Sequence, residues 1–180
     1  MGGWVFAYGS LMWNPEMPVA EAVVARLDGY ARSFCLRSVR HRGTPEAPGL
    51  VLGLDAAEGA VCTGLALRVA PADWAQALAD LRAREMVTAA YREEVLAVTL
   101  ADGRRVEAVA YVMRAGHPQH AAGLSLEDQA AIIANAQGGR GPNADYLFNT
   151  VTHLARMGLP DPDLEGLAQR VQGLLTVPGS

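Results

Sequence analysis

Strand-type runs broken by glycine-containing turns make up most of the first two-thirds of this chain, and segments of helical period fill the rest, an order that points to α+β architecture. Trp4 to Tyr8 is an aromatic and β-branched run ended by Gly9-Ser10, which reads as a strand followed by a turn. Glu21 to Arg26 and Tyr30 to Ser38 flank Asp28-Gly29, a dipeptide of tight hairpins; Leu50 to Leu54 and Ala60 to Val69 suggest a second hairpin. Between these pairs the stretch HRGTPEAPG, residues 41–49, has the prolines and glycines of an irregular loop. Pro71-Ala72-Asp73 opens a helix running to about Arg84, with Trp74, Leu78 and Leu81 at helical spacing and Glu85 at its end.

Tyr91 to Leu100 and Arg104 to Met113 form two further strand-like segments joined by Asp102-Gly103. Three helices are then expected: Ser125 to about Gln137, with Ser125 and Asp128 resembling a capping box, then Asn143 to Met157, then Asp163 to Leu175. The expected fold is therefore a mainly antiparallel, curved or closed sheet with helices packed over one side or end and a helical C-terminal third. At 180 residues the chain is expected to be a single domain, 1-180.

Composition narrows the function classes. A formal charge of -4 with no basic run argues against nucleic acid and against anionic membranes, because both need clustered cations. No stretch reaches the roughly 18 consecutive apolar residues of a membrane span. Cys35 and Cys62 stand far apart in no C-x-x-C pair, which offers neither zinc ribbon nor disulfide framework and points to a cytoplasmic location. His117 and His120 form an H-x-x-H on a proline- and glycine-flanked loop, not the H-E-x-x-H of a zinc helix, so no metal site is expected. GGRG lacks the ending of a P-loop, and Gly9-Ser10-Leu11 is not the G-x-S-x-G elbow of a hydrolase.

Two segments could carry chemistry on their own residues, each with an ordinary alternative. Gly9-Ser10, closing a buried strand, either makes a plain turn or points successive N–H groups at a carboxylate or carbonyl oxygen. Glu85, in LRAREM, either carries chemistry or, as an ordinary solvated charge, pairs with Arg82 or supports the helix end. Arg42 could hold a substrate carboxylate or sit in solvent, and Tyr111 and Tyr146 could line a pocket or serve the core.

Five segments in order resemble the ChaC family of glutathione-specific γ-glutamylcyclotransferases: VFAYGSLMWNP, DGYARSF, RHRGTPEAPG, LRAREMVTAAY and GRGPNADYL. The resemblance spans nearly the whole chain and implies a γ-glutamylcyclotransferase-like barrel that needs no cofactor. It implies that Glu85 matches the family's catalytic glutamate and that Ala7, Tyr8, Gly9, Ser10, Leu11 and Met12 form the substrate-binding loop; Arg42, Tyr91, Tyr111 and Tyr146 are the further substrate-binding candidates. The implied reaction cleaves glutathione to 5-oxoproline and cysteinylglycine. Other γ-glutamyl amino acids or γ-glutamylamines are the alternative substrates, and a non-catalytic interaction protein, the family's older cation-transport label, is the alternative class. The chain departs from the family pattern at Ala7, at Ala89-Ala90 where Gly-Gly is usual, and at His120 where a tyrosine is common.

Overall fold

The computed structural model describes residues 2–176. Two compact units are present, the first comprising residues up to Arg32 together with Leu54–His117. The strands close into a barrel of five: β1 (Gly3–Ala7), β2 (Glu21–Ser38), β3 (Gly49–Val69), β4 (Tyr91–Leu100) and β5 (Arg105–Met113), in the order β1-β3-β2-β4-β5. Five strands cannot alternate direction all the way round a ring, so one neighbouring pair must run parallel. That pair is β1 and β5, with Trp4 opposite Ala108 and Val5 opposite Val109. Closure also removes the free edges that an open sheet would have to protect.

Phe6, Leu27, Leu54, Val98, Leu100 and Val112 fill the barrel interior together with small residues such as Ala66, Ala108 and Ala110. Buried and more exposed positions alternate along parts of β3 and β4, a period-2 pattern, whereas the last six residues of β5, Ala108 to Met113, are all buried. β4 begins and ends where its sequence pattern does, and the Asp102-Gly103 reversal forms as expected, with Gly103 at φ +89 and its N–H donating to the Leu100 carbonyl at 2.9 Å.

The other two expected hairpins are absent. Asp28-Gly29 and the segment before Ala60 lie inside the continuous strands β2 and β3, where Gly29 has φ +82 and Gly59 φ +78. A left-handed glycine serves a mid-strand irregularity as well as a turn, and here the chain instead reverses in residues 39–48. β2 and β3 consequently make one long hairpin. Its open end is tied by the Ala20 N–H to the Arg68 carbonyl at 2.8 Å and by the Arg68–Glu21 ion pair.

Helix α1 (Trp74–Glu85) follows β3. Trp74 lies over Gly3, where a Cβ would collide with the indole ring, so the first residue of the helix is seated on the first residue of β1. This seating fixes the helix that ends in Glu85 against the strand that runs into Tyr8.

The second unit comprises Ser33–Gly53 and the chain from Pro118 on. It contains α2 (Leu126–Asn135), a short ribbon of β6 (Gln137–Gly138) and β7 (Gly141–Pro142), α3 (Asn143–Arg156) and α4 (Pro162–Thr176). Ser125 caps the helix as expected: its Oγ accepts from the Asp128 N–H at 3.0 Å and its hydroxyl donates to Asp128 Oδ2 at 2.8 Å. Phe34, Leu50, Ile133, Leu147, Leu154 and Leu167 are among its fully buried side chains. Asn143, also fully buried, accepts from the Leu50 N–H at 2.7 Å and donates to the Leu50 carbonyl at 2.7 Å, giving that strand residue a substitute for a backbone partner. Among the described residues no helix is long and apolar enough to cross a membrane.

Candidate active site

Glu85 is the last residue of α1, and its side chain is 19 % exposed. A carboxylate there is disfavoured twice, by the loss of water and by the negative end of the helix dipole. Burial pushes its pKa up, the neighbouring Arg84 guanidinium pulls it down, and Glu16 adds a smaller upward push. The alternative pairing with Arg82 does not form. Arg82 instead forks onto Glu93 of β4, Nε at 2.8 Å and Nη2 at 2.7 Å, which leaves the Glu85 carboxylate to Arg84, whose Nε lies 3.3 Å from Oε1.

The candidate substrate loop begins where β1 ends. Ala7 is wholly buried, and after Tyr8 and Gly9 the chain makes one turn of 3-10 helix, Ser10–Met12. Leu11 and Met12 are buried and anchor the turn. Its backbone is thereby held with the first N–H groups, those of Ser10 and Leu11, lacking intrahelical acceptors. Tyr8 is held from two sides: its hydroxyl donates to the Tyr111 carbonyl at 3.0 Å, and Arg32 Nη1 donates to the Tyr8 carbonyl at 2.8 Å. Arg32 lies in the DGYARSF segment, so that stretch supports the loop from β2.

Ser10 Oγ accepts from Arg84 Nη2 at 2.8 Å. A guanidinium cannot take a proton from a hydroxyl, so this arrangement does not activate Ser10 as a nucleophile. It does connect loop and acid, since the same Arg84 reaches Glu85. Sequence reasoning missed Arg84, whose partners in the loop lie some seventy residues away.

Tyr111 is almost fully buried and donates to Glu93 Oε2 at 3.1 Å. Burial, the Glu93 carboxylate and the charge of Glu85 together hold the phenol neutral well above its ordinary range. Glu93 is held low, chiefly by its bonds from Arg82. Tyr91 is buried at the start of β4, its carbonyl accepting from Arg114 Nε at 3.0 Å. Between Glu85 and Tyr91, Ala89 has φ +54, the left-handed conformation that glycine adopts without strain, whereas Ala90 has no such conformation and is fully buried.

Arg42 and Tyr146 belong to the second unit. Arg42 Nη1 donates to the carbonyls of Arg140 at 2.8 Å and Pro142 at 3.1 Å, and its guanidinium lies 5.6 Å from the centre of the Tyr146 ring. Tyr146 also meets Phe34 edge to face. His120, on the loop where the family pattern is broken, bridges Leu36 of the same unit.

Residues 3–174 match the family model described as ChaC-like protein. The chain is 39 % identical over 172 residues to the glutathione-specific γ-glutamylcyclotransferase of Escherichia coli (strain K12), covering 96 % of this chain and 74 % of that protein. It is 36 % identical over 185 residues to γ-glutamylcyclotransferase 2-3 of Arabidopsis thaliana, covering 98 % and 92 %. The fold is shared with a crystal structure of a yeast γ-glutamyl cyclotransferase specific to glutathione, at TM-score 0.85 and 22 % identity over 97 % of this chain and 100 % of that one. With a match that runs from β1 to α4 and relatives aligned over nearly its whole length, the chain belongs to the ChaC-like family.

Proposed function

We propose that this protein cleaves glutathione to 5-oxoproline and cysteinylglycine, with Glu85 as proton carrier and residues 7–12 as the substrate loop. The names of the relatives supply the substrate class. The observation that carries the residue roles is the sharing of Arg84 between the half-buried carboxylate of Glu85 and the hydroxyl of Ser10.

In this reaction the nucleophile is the α-amine of the substrate's own γ-glutamyl group. Its nitrogen attacks the γ-carbonyl carbon, a five-membered ring closes, and the bond to the cysteine nitrogen breaks. No serine or cysteine nucleophile is required, in keeping with a Ser10 hydroxyl that faces a guanidinium. Holding the chain of the substrate folded back on itself is the larger part of the task, and proximity of this kind is worth up to about 7–11 kcal/mol in ideal cases.

Proton transfers complete the balance. The α-ammonium gives up one proton to solvent to become the attacking amine and a second as the ring nitrogen becomes an amide, and the departing nitrogen gains one. Glu85 can accept the second proton and return it to the leaving nitrogen. A carboxylate whose pKa is raised by burial suits this double duty, because it binds a proton at neutral pH more readily than an exposed one. The N–H groups at the start of the 3-10 turn would meet the oxyanion of the tetrahedral intermediate, each such donor being worth about 2.7–4 kcal/mol in other enzymes.

Tyr111 and Tyr91 belong to the unit that holds Glu85, and we assign the Tyr111 ring and hydroxyl to the wall of the site. Arg42 and Tyr146, of the second unit, are carried as substrate-binding candidates on their residue types. Incubation with glutathione, γ-glutamylalanine and γ-glutamyl-lysine in parallel, with 5-oxoproline measured in each, tests the assignment. The expected result is release from glutathione far above the other two. Equal or greater release from γ-glutamylalanine or γ-glutamyl-lysine would transfer the assignment to those substrates.

A further inference from the structure

We propose that Arg84 is the positioning residue of this site, one guanidinium fastening the Glu85 carboxylate and the Ser10 hydroxyl so that proton carrier and substrate loop are held in one register. The inference rests on the reading of Glu85 as the proton carrier.

Arg84 has four partners. Nε lies 3.3 Å from Glu85 Oε1, Nη2 donates to Ser10 Oγ at 2.8 Å, and Nη1 donates to Glu16 Oε2 at 3.0 Å and to the Asn14 carbonyl at 3.3 Å. Consecutive residues on a helix do not face each other, so an Arg84–Glu85 contact is not a routine surface pair. It uses the rigid, many-donor fork that distinguishes arginine from lysine. Beyond its single 3-10 turn, the segment from Trp13 to Ala20 has no helix or strand of its own. Arg84 therefore supplies what regular structure does not, three attachments from α1 to this stretch and the turn before it. Asn14 Nδ2 donates in turn to Glu16 Oε1 at 3.1 Å, joining the outer attachments to each other.

Exposure divides the fork into an inner and an outer side. Glu85 is 19 % exposed and Glu16 60 %. Glu16 and Arg84 line a cleft of about 250 Å³ with Pro15, Met17 and Leu81.

The electrostatics give the proposal a signature that plain structural support would lack. The groups that act on the Glu85 charge are Arg84 on its own helix and Glu16 on the loop, with opposite signs. From β5 it is faced by Tyr111, a neutral phenol whose hydroxyl is taken by Glu93, itself neutralised by Arg82. Substitutions at Arg84 and Glu16 should therefore move the titration of Glu85 in opposite directions.

The test is the pH dependence of kcat/KM with glutathione, measured for the wild type, Arg84→Met, Arg84→Lys and Glu16→Gln, with folding checked by circular dichroism. Arg84→Met is expected to lose about 10- to 100-fold in kcat, the scale of a small misplacement of a reacting group, and its acidic limb should move to higher pH. Arg84→Lys keeps the charge without the fork, so its limb should stay near the wild-type position while kcat falls. An acidic limb left in place by Arg84→Met overturns the proposal. Should that variant fail to fold, Glu16→Gln decides in its place: a limb moved to lower pH supports the proposal, and one unmoved or moved upward overturns it. Full turnover by Glu85→Gln would instead remove the reading beneath it, since the limb would then belong to another group.

Discussion

Arg84 Nε lies 3.3 Å from Oε1 of Glu85, yet burial still holds the Glu85 carboxyl above its ordinary pKa. The native state therefore binds this proton more tightly than the unfolded chain does. Stability falls as pH rises from the unfolded value, about 4.3, through the raised native value, and the cost is complete above it. Glu85→Gln removes that cost. Thermal unfolding should place its Tm above the wild type at pH 7.5, by about 2–4 °C for each kcal/mol recovered, with the difference disappearing near pH 4. A variant no more stable than the wild type at pH 7.5 would mean that the carboxylate is not disfavoured where it stands.

Ala89 and Ala90 should respond to glycine with opposite signs. At φ +54 a Cβ costs about 1–2 kcal/mol, against a gain of about 0.4–1 kcal/mol from restricting the unfolded chain. Ala89→Gly should leave the Tm equal to or above the wild type. Ala90, fully buried and without a left-handed backbone, should lose about 1 kcal/mol on the same change. Urea unfolding of the two variants measures both, and an Ala89→Gly variant less stable than Ala90→Gly contradicts the backbone geometry.

Asn143→Ala should be among the more damaging single changes in the second unit. It strands the N–H and the carbonyl of Leu50, both bonded at 2.7 Å by a side chain with no exposure. The expected loss is about 2–4 kcal/mol, read from urea unfolding. Asn143→Asp keeps the acceptor but lacks the donor to the Leu50 carbonyl, so it should also destabilise; a loss below about 1 kcal/mol from Asn143→Ala would show that water replaces both bonds.

Much of the fold was legible because the period of the pattern and the burial agree. β4 at Tyr91–Leu100 and the Ser125 cap of α2 fall where the residues place them, and Glu85 closes α1. The misreadings at Asp28-Gly29 and before Ala60 have one physical source. Glycine at positive φ fits a hairpin turn and a mid-strand irregularity alike, and only the strand alongside decides between them.

The site was legible in its parts and not in its connections. Glu85 and the Tyr8–Leu11 loop stood out by position and family resemblance, but Arg84 binds residues remote in sequence, Arg32 reaches Tyr8 from another strand, and Arg82 prefers Glu93 to Glu85. Pairings across a barrel follow from its closure, and no local pattern encodes them. The structure also gives physical work to matched segments whose role the residues left open. In RHRGTPEAPG, Gly43 and Gly49 let two backbone stretches approach where a Cβ would collide, and in GRGPNADYL Asn143 pairs with Leu50.

The central claim, that Glu85 carries the proton in cleavage of a γ-glutamyl amide, is tested most directly by 5-oxoproline release from glutathione in the wild type and in Glu85→Gln at neutral pH. The amide is isosteric and cannot shuttle a proton. Release by the wild type and a loss of at least about 100-fold in the folded variant, the scale of general acid–base catalysis, are the predicted result; release by Glu85→Gln near the wild-type rate would contradict it.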